Sequence, residues 1–125
     1  MQPDRQQSVL VVDDDDAVRD LVATVLGDAG YAVHTAPDGR AALRLLDRHE
    51  PDVVVLDVQM PHLDGLSTCS RLRRDDRTAR LPVVLISAQP VEGHQLAACR
   101  ASAFLPKPFD IADLVDEVDR LARAA

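Results

Sequence analysis

Short apolar runs and helix-spaced apolar residues alternate along this chain. Residues 9–12, 53–56 and 83–86 are unbroken stretches of valine, leucine and isoleucine bounded by polar or turn residues. Strands covered on both faces read this way, so these predict buried parallel strands. Between them apolar residues recur with helical period. Val18, Leu21, Val22, Val25 and Leu26 fall at i, i+3, i+4, i+7 and i+8, with Gly30 beyond them as a stop. Ile111, Leu114, Val115, Val118 and Leu121 form a comparable apolar stripe near the C-terminus, with Asp110 placed as N-cap. Two more helices are predicted, one after Asp38 through Ala42, Leu43 and Leu46 until Pro51, the other after Asp64-Gly65 through Leu66, Cys69 and Leu72. Weaker strands at 32–35 and 103–105 complete five βα units. Before the last strand, Pro90 and Gly93 leave only about two helical turns, from Glu92 to Cys99.

Parallel strands need right-handed helical crossovers, so this alternation predicts an α/β fold, a doubly wound five-stranded parallel sheet with helices on both faces. Ligands of such sheets bind beyond the carboxyl ends of the strands. The polar chemistry collects there. The first strand ends in Asp13-Asp14-Asp15-Asp16, the run at 53–56 in Asp57, the run at 83–86 in Ser87, and the last strand leads to Lys107. One of Asp15 and Asp16 is expected to cap the helix that follows, which leaves Asp13 and Asp14 for the site.

Lys107 is the only lysine among fourteen basic residues. An ammonium is a point charge on a flexible stem, suited to a phosphate or a carboxylate cluster, where a guanidinium demands a matching planar partner. Two carboxylates about 5 Å apart repel by roughly 3 kcal/mol at an effective dielectric near 20. Some cation must offset that repulsion, and an oxygen-lined site suits Mg²⁺. A strand-end aspartate beside such an ion can accept a phosphoryl group. Asp57 is then the nucleophile, Ser87 the donor to the incoming oxygens and Lys107 their counter-charge.

These residues resemble the receiver domain of bacterial two-component response regulators. The resemblance covers residues 8–122 and rests on Val9-Leu10-Val11-Val12-Asp13-Asp14, Val54-Val55-Leu56-Asp57-Val58-Gln59-Met60-Pro61, Asp64-Gly65, Leu85-Ile86-Ser87-Ala88 and Phe104-Leu105-Pro106-Lys107-Pro108-Phe109. It implies the flavodoxin-like strand order 2-1-3-4-5. It implies that Asp57 is phosphorylated by a sensor histidine kinase or a histidine phosphotransfer protein. Asp13, Asp14, Asp57 and the backbone carbonyl of Gln59 would hold Mg²⁺, or Mn²⁺ in its place. Ser87 and Phe104 would form the switch pair, and the Lys107-Pro108 bond would be cis. A downstream protein target would bind the face of the fourth helix, fifth strand and fifth helix, with the domain a monomer or a phosphorylation-dependent homodimer. Two departures stand out. Arg100 occupies the place where glycine commonly ends the fourth helix, and Phe104 replaces a frequent tyrosine. An arginine in the left-handed conformation costs about 1 kcal/mol, so that helix is expected to end differently or fray.

Other classes fit less well. A hydrolase of the haloacid-dehalogenase type needs a second carboxylate two residues after its nucleophile, where this chain has Gln59. A flavin or nucleotide binder needs a phosphate loop after the first strand, and four aspartates stand there. A degenerate receiver acting as a phosphorylation-independent scaffold is the remaining alternative. The chain is expected to assist only its own phosphorylation and dephosphorylation, with no turnover substrate, and Gln59 and Gln89 to flank the attacking water.

At 125 residues with a net charge of −7, the chain reads as a single domain, 1–125, with a short polar tail over 1–7 and no visible linker or second domain. Its acidity argues against direct contact with nucleic acid. It shows neither an apolar stretch of about 18 residues nor a signal peptide, so no membrane insertion and a cytoplasmic location are expected. Cys69 and Cys99 read as core residues without a disulfide, and His34, His49, His62 and His94 as packing or surface residues. Arg71, Arg73, Arg74, Arg77 and Arg80 read as a solvated face.

Overall fold

In the computed structural model, which describes residues 6–124, the elements follow in strict alternation. They are β1 (Ser8–Val12), α1 (Asp16–Asp28), β2 (Ala32–Ala36), α2 (Gly39–Leu46), β3 (Val53–Asp57), α3 (Gly65–Arg74), β4 (Val83–Ser87), α4 (Gly93–Cys99), β5 (Ala103–Pro106) and α5 (Ile111–Ala124). The strands form one parallel sheet in the order β2-β1-β3-β4-β5. This is the flavodoxin-like α/β architecture expected from the alternation.

The pleat explains the unbroken apolar runs. Val9, Val11, Val53, Val55, Val84 and Ile86 pack with Val22 and Leu26 of α1 and Leu114 and Val118 of α5. Leu10, Val12, Val54, Leu56 and Leu85 belong to a second cluster with Ala42 of α2, Cys69 of α3 and Cys99 of α4. Both faces of β1, β3 and β4 are thus covered, and polar residues are confined to their ends. Each fully buried leucine or valine contributes about 1.5–3 kcal/mol. Leu21, placed in the apolar stripe of α1 by its spacing, is instead exposed; the helix meets the sheet over a narrower face, through Val22 and Leu26.

Aspartates start four helices. Asp15 accepts from the Ala17 and Val18 amides, Asp38 from Ala41, Asp64 from Ser67 and Asp110 from Ala112. Each cap stabilises by about 1 kcal/mol. Asp16 pairs with Arg19 rather than capping. Gly30, at φ 104°, follows the end of α1 in a conformation that favours glycine.

The fourth helix does not avoid the left-handed ending. Arg100 adopts it, at φ 53° and ψ 48°. Compensation comes from α3. The Arg73 guanidinium donates to the carbonyls of Cys99 at 3.1 Å, Arg100 at 2.9 Å and Leu81 at 2.7 Å, with longer bonds to Thr78 and Ala79. Carbonyls at a helix end lack intrahelical donors, and one guanidinium carries five. Arg73 is therefore structural and not part of a solvated face, and Arg77 is likewise held by Asp47 and Asp75.

Of the tail predicted over 1–7, residues 1–5 lie outside the described ones. Gln6 and Gln7 are bonded, to the carbonyls of Gly30 and Ala122. Cys69 and Cys99 are free and buried. Among the described residues no helix is long and apolar enough to cross a membrane.

Candidate functional site

Strand order brings the polar ends together. β1, β3 and β4 are consecutive neighbours in the sheet, so Asp13, Asp57 and Ser87 stand side by side beyond three carboxyl ends. β5 pairs with β4 and delivers Lys107, whose amide donates to the Ser87 carbonyl at 2.7 Å. The Lys107-Pro108 bond is cis. Gly65 closes the cleft from the far side, because a Cβ there would lie 2.2 Å from the Asp57 carbonyl oxygen. Only glycine lets the first turn of α3 pack so closely on the end of β3.

Asp13 is 0% exposed, Asp57 3% and Ser87 1%. Lys107 Nζ lies 3.1 Å from Asp13 Oδ2 and 3.5 Å from Asp57 Oδ2. Asp13 Oδ1 accepts from the Asp15 amide at 2.9 Å. Asp57 Oδ1 is buried and has no hydrogen-bond partner. Asp14 is exposed at the rim, and one carboxylate oxygen from each of Asp13, Asp14 and Asp57 lies within 4.8 Å of the others.

Two buried carboxylates, Asp13 and Asp57, share one ammonium with Asp14 close by, and the protonation behaviour follows. Burial, and then the charge of Asp13, push the Asp57 carboxyl up to about 6, against the pull of Lys107. Burial acts to lower Lys107, but its hydrogen bond to Asp13 and the charges of Asp13 and Asp57 prevail and raise it. Lys107 therefore stays charged. Like charges at this spacing repel by about 3 kcal/mol per pair at an effective dielectric near 20. The unpartnered Asp57 oxygen, the all-oxygen donor set and the surplus negative charge suit a hard divalent cation.

Not every predicted site residue touches this cluster. Ser87 Oγ lies 2.8 Å from Gln59 Oε1 and 2.7 Å from the Gln89 carbonyl, and accepts from the Gln89 amide at 3.0 Å. Its hydroxyl is thus engaged with Gln59 and the turn after β4, not with Asp57. Gln59 Oε1 also accepts from the Ala88 amide. This side-chain tie between the ends of β3 and β4 spans 28 residues and leaves no local signal in the sequence. Phe104 sits on β5 opposite Leu85, half-buried against the cluster that α2, α3 and α4 cover.

A family model described as the response regulator receiver domain matches residues 9–119. Among curated relatives, the response regulator MprA of Mycolicibacterium vanbaalenii is 44% identical over 119 residues, covering 92% of this chain and 50% of that protein. The DNA-binding dual master transcriptional regulator RpaA of Synechocystis sp. is 40% identical over 117 residues, covering 92% of this chain and 48% of that one. The chain spans about half the length of the curated relatives it matches. Among solved structures, the chemotaxis protein CheY4 of Vibrio cholerae superposes with a TM-score of 0.88 at 31% identity, covering 94% of this chain and 99% of that one. The receiver domain of the sensor histidine kinase PA1611 from Pseudomonas aeruginosa, solved with a magnesium ion coordinated in its active-site cleft, superposes at 0.84 and 26% identity over 95% and 99%.

Proposed function

We propose that this chain, which belongs to the response regulator receiver domain family, takes a phosphoryl group onto Asp57 from a histidine kinase or phosphotransfer protein. The observation that carries this is the buried, unpartnered Asp57 Oδ1 beside an ammonium shared with Asp13. An acceptor oxygen must be free to attack, and every other buried carboxylate oxygen here is engaged or faces Lys107.

With its carboxyl pushed up to about 6, Asp57 is ionised at neutral pH yet more basic than an ordinary carboxylate, which favours nucleophilic attack. Its oxygen forms the new O–P bond as the donor's P–N bond breaks, and the electron pair of that bond stays on the imidazole nitrogen. Lys107 supplies positive charge to the phosphoryl oxygens. Ser87 would exchange its bond to Gln59 for one to those oxygens, and Phe104 would turn inward over the vacated space. A divalent cation held by Asp13, Asp14, Asp57 and the Gln59 carbonyl, magnesium or manganese, would supply charge neutralisation for the phosphoryl group. The reaction is self-directed, with no turnover substrate, and residues 1–125 act as one receiver unit. Its output surface would be the α4, β5 and α5 face. DNA binding recorded in the name of RpaA belongs to that protein; a net charge of −7 supports reading this segment as acting through protein contact.

The test is incubation with acetyl phosphate and magnesium, followed by intact-mass and peptide analysis. Wild type is expected to gain a single adduct of about 80 Da that maps to Asp57, as phosphorylation requires. The Asp57→Asn variant is expected to gain none. An adduct at wild-type yield on that variant removes Asp57 from the role, and none on wild type with any small-molecule or kinase donor leaves the scaffold reading.

A further inference from the structure

We propose that the groove between α3 and α4 docks an acidic amphipathic helix of a partner protein. The groove has a volume of about 470 Å³, with Leu63, Leu66 and Ala98 among its lining residues and Arg71 and Arg74 at its cationic end. It lies on the side of α4 that faces α3, away from the α4, β5 and α5 surface.

Charge sets the occupant. In a chain of net charge −7, two guanidinia near this end are already paired within the chain, Arg73 with carbonyls and Arg77 with Asp47 and Asp75. Arg71 and Arg74 are exposed and, among the described residues, have neither an ion pair nor a hydrogen bond. Three residues apart on one helix, they share a face with Cβ atoms about 5–6 Å apart, the spacing of carboxylates one turn apart on a docked helix. The ten residues of α3 span about 15 Å, enough to seat two to three helical turns. Apolar side chains of that helix would meet Leu63, Leu66 and Ala98 while its acids reach the arginines. Its lining carries one ring, the His94 imidazole, and no row of aromatic side chains on which successive bases could stack, so a protein helix fits it better than a nucleic acid.

The groove is built before any ligand arrives. Arg73 ties the C-terminal end of α4 to α3 through the Cys99 and Arg100 carbonyls. A preformed site spares the partner the cost of ordering it. The proposal stands on this unmodified form and does not need phosphoryl chemistry at Asp57.

The experiment titrates the isotope-labelled full chain with a synthetic helical peptide of about a dozen residues, carrying a leucine stripe flanked by glutamates one turn apart. Saturable amide shifts at Leu66, Ser70 and Ala98 are expected, with the same affinity in the Asp57→Asn variant. Arg71→Glu with Arg74→Glu should weaken binding by roughly tenfold or more, and Ala98→Gln should weaken it by filling the groove without changing charge. Thermal midpoints check that these exposed substitutions leave the fold intact. Equal binding of a scrambled peptide of the same composition, shifts confined to α4, β5 and α5, or no binding at all would overturn the proposal.

Discussion

Replacing Asp57 with asparagine is expected to stabilise the metal-free domain, by an amount that depends on pH. The amide keeps the shape of the carboxylate and removes its charge, and Lys107 retains Asp13 at 3.1 Å, so no ammonium is stranded. Burial and the neighbouring Asp13 charge push the Asp57 carboxyl from 3.8 to about 6, a shift equivalent to about 3 kcal/mol. Because the folded-state value lies above the unfolded one, the stability Asp57 contributes is fully present below its unfolded value and is lost as pH rises through about 6. Asparagine does not titrate and keeps what the wild type loses. The gain is therefore about 3 kcal/mol near neutral pH, shrinking to about 1 kcal/mol at about pH 4.5. For a domain of this size, 3 kcal/mol raises Tm by about 10 °C. Thermal and urea denaturation of both proteins in chelator, at the two pH values, measures it. Millimolar magnesium should narrow the difference, because a cation bound among the acids relieves the same repulsion in the wild type. Equal midpoints near neutral pH, or a gain indifferent to pH, would refute the idea that Asp57 carries a repelled charge.

Three further substitutions probe the frame around the site. Arg73→Met leaves the Leu81 and Arg100 carbonyls without their donor and the Cys99 carbonyl with only the weak Cys69 thiol; a loss of about 2–4 kcal/mol is expected, with faster amide exchange over residues 93–100 and little change in the central strands. Arg100→Gly relieves the left-handed backbone at φ 53° and should raise stability by about 1 kcal/mol in urea unfolding; a loss would show that the side chain matters more than its conformation. Gly65→Ala places a Cβ 2.2 Å from a backbone oxygen of Asp57, where no flexible side chain can yield. A loss of several kcal/mol is expected, together with weaker acetyl-phosphate labelling of the protein that remains folded.

Much of the fold was legible because its signals are local. Four-residue apolar runs, helical spacings and an aspartate before each of four helices are read within one window, and each element appears there, although α2 ends at Leu46 and does not run on to Pro51. Strand order was not written in any window. It decides that Asp13 and Lys107, 94 residues apart, share a hydrogen bond, and the resemblance to receiver domains supplied the order that periodicity could not. The exposure of Leu21 shows the converse limit: spacing names the residues able to face a core, but the width of the helix contact decides which do.

By itself, then, the sequence determined the elements, their caps and which side chains stand at strand ends, since these follow from backbone geometry and apolar period within a few residues. Only the tertiary structure decided how those side chains are spent. Arg73 became a clamp on the end of α4, Gln59 took up the Ser87 hydroxyl, and Arg71 and Arg74 were left free beside a groove. Each outcome depends on hydrogen bonds or charges between segments distant in the chain. Such pairings leave no periodic imprint on the order of residues, and distance, charge and burial together set their strength.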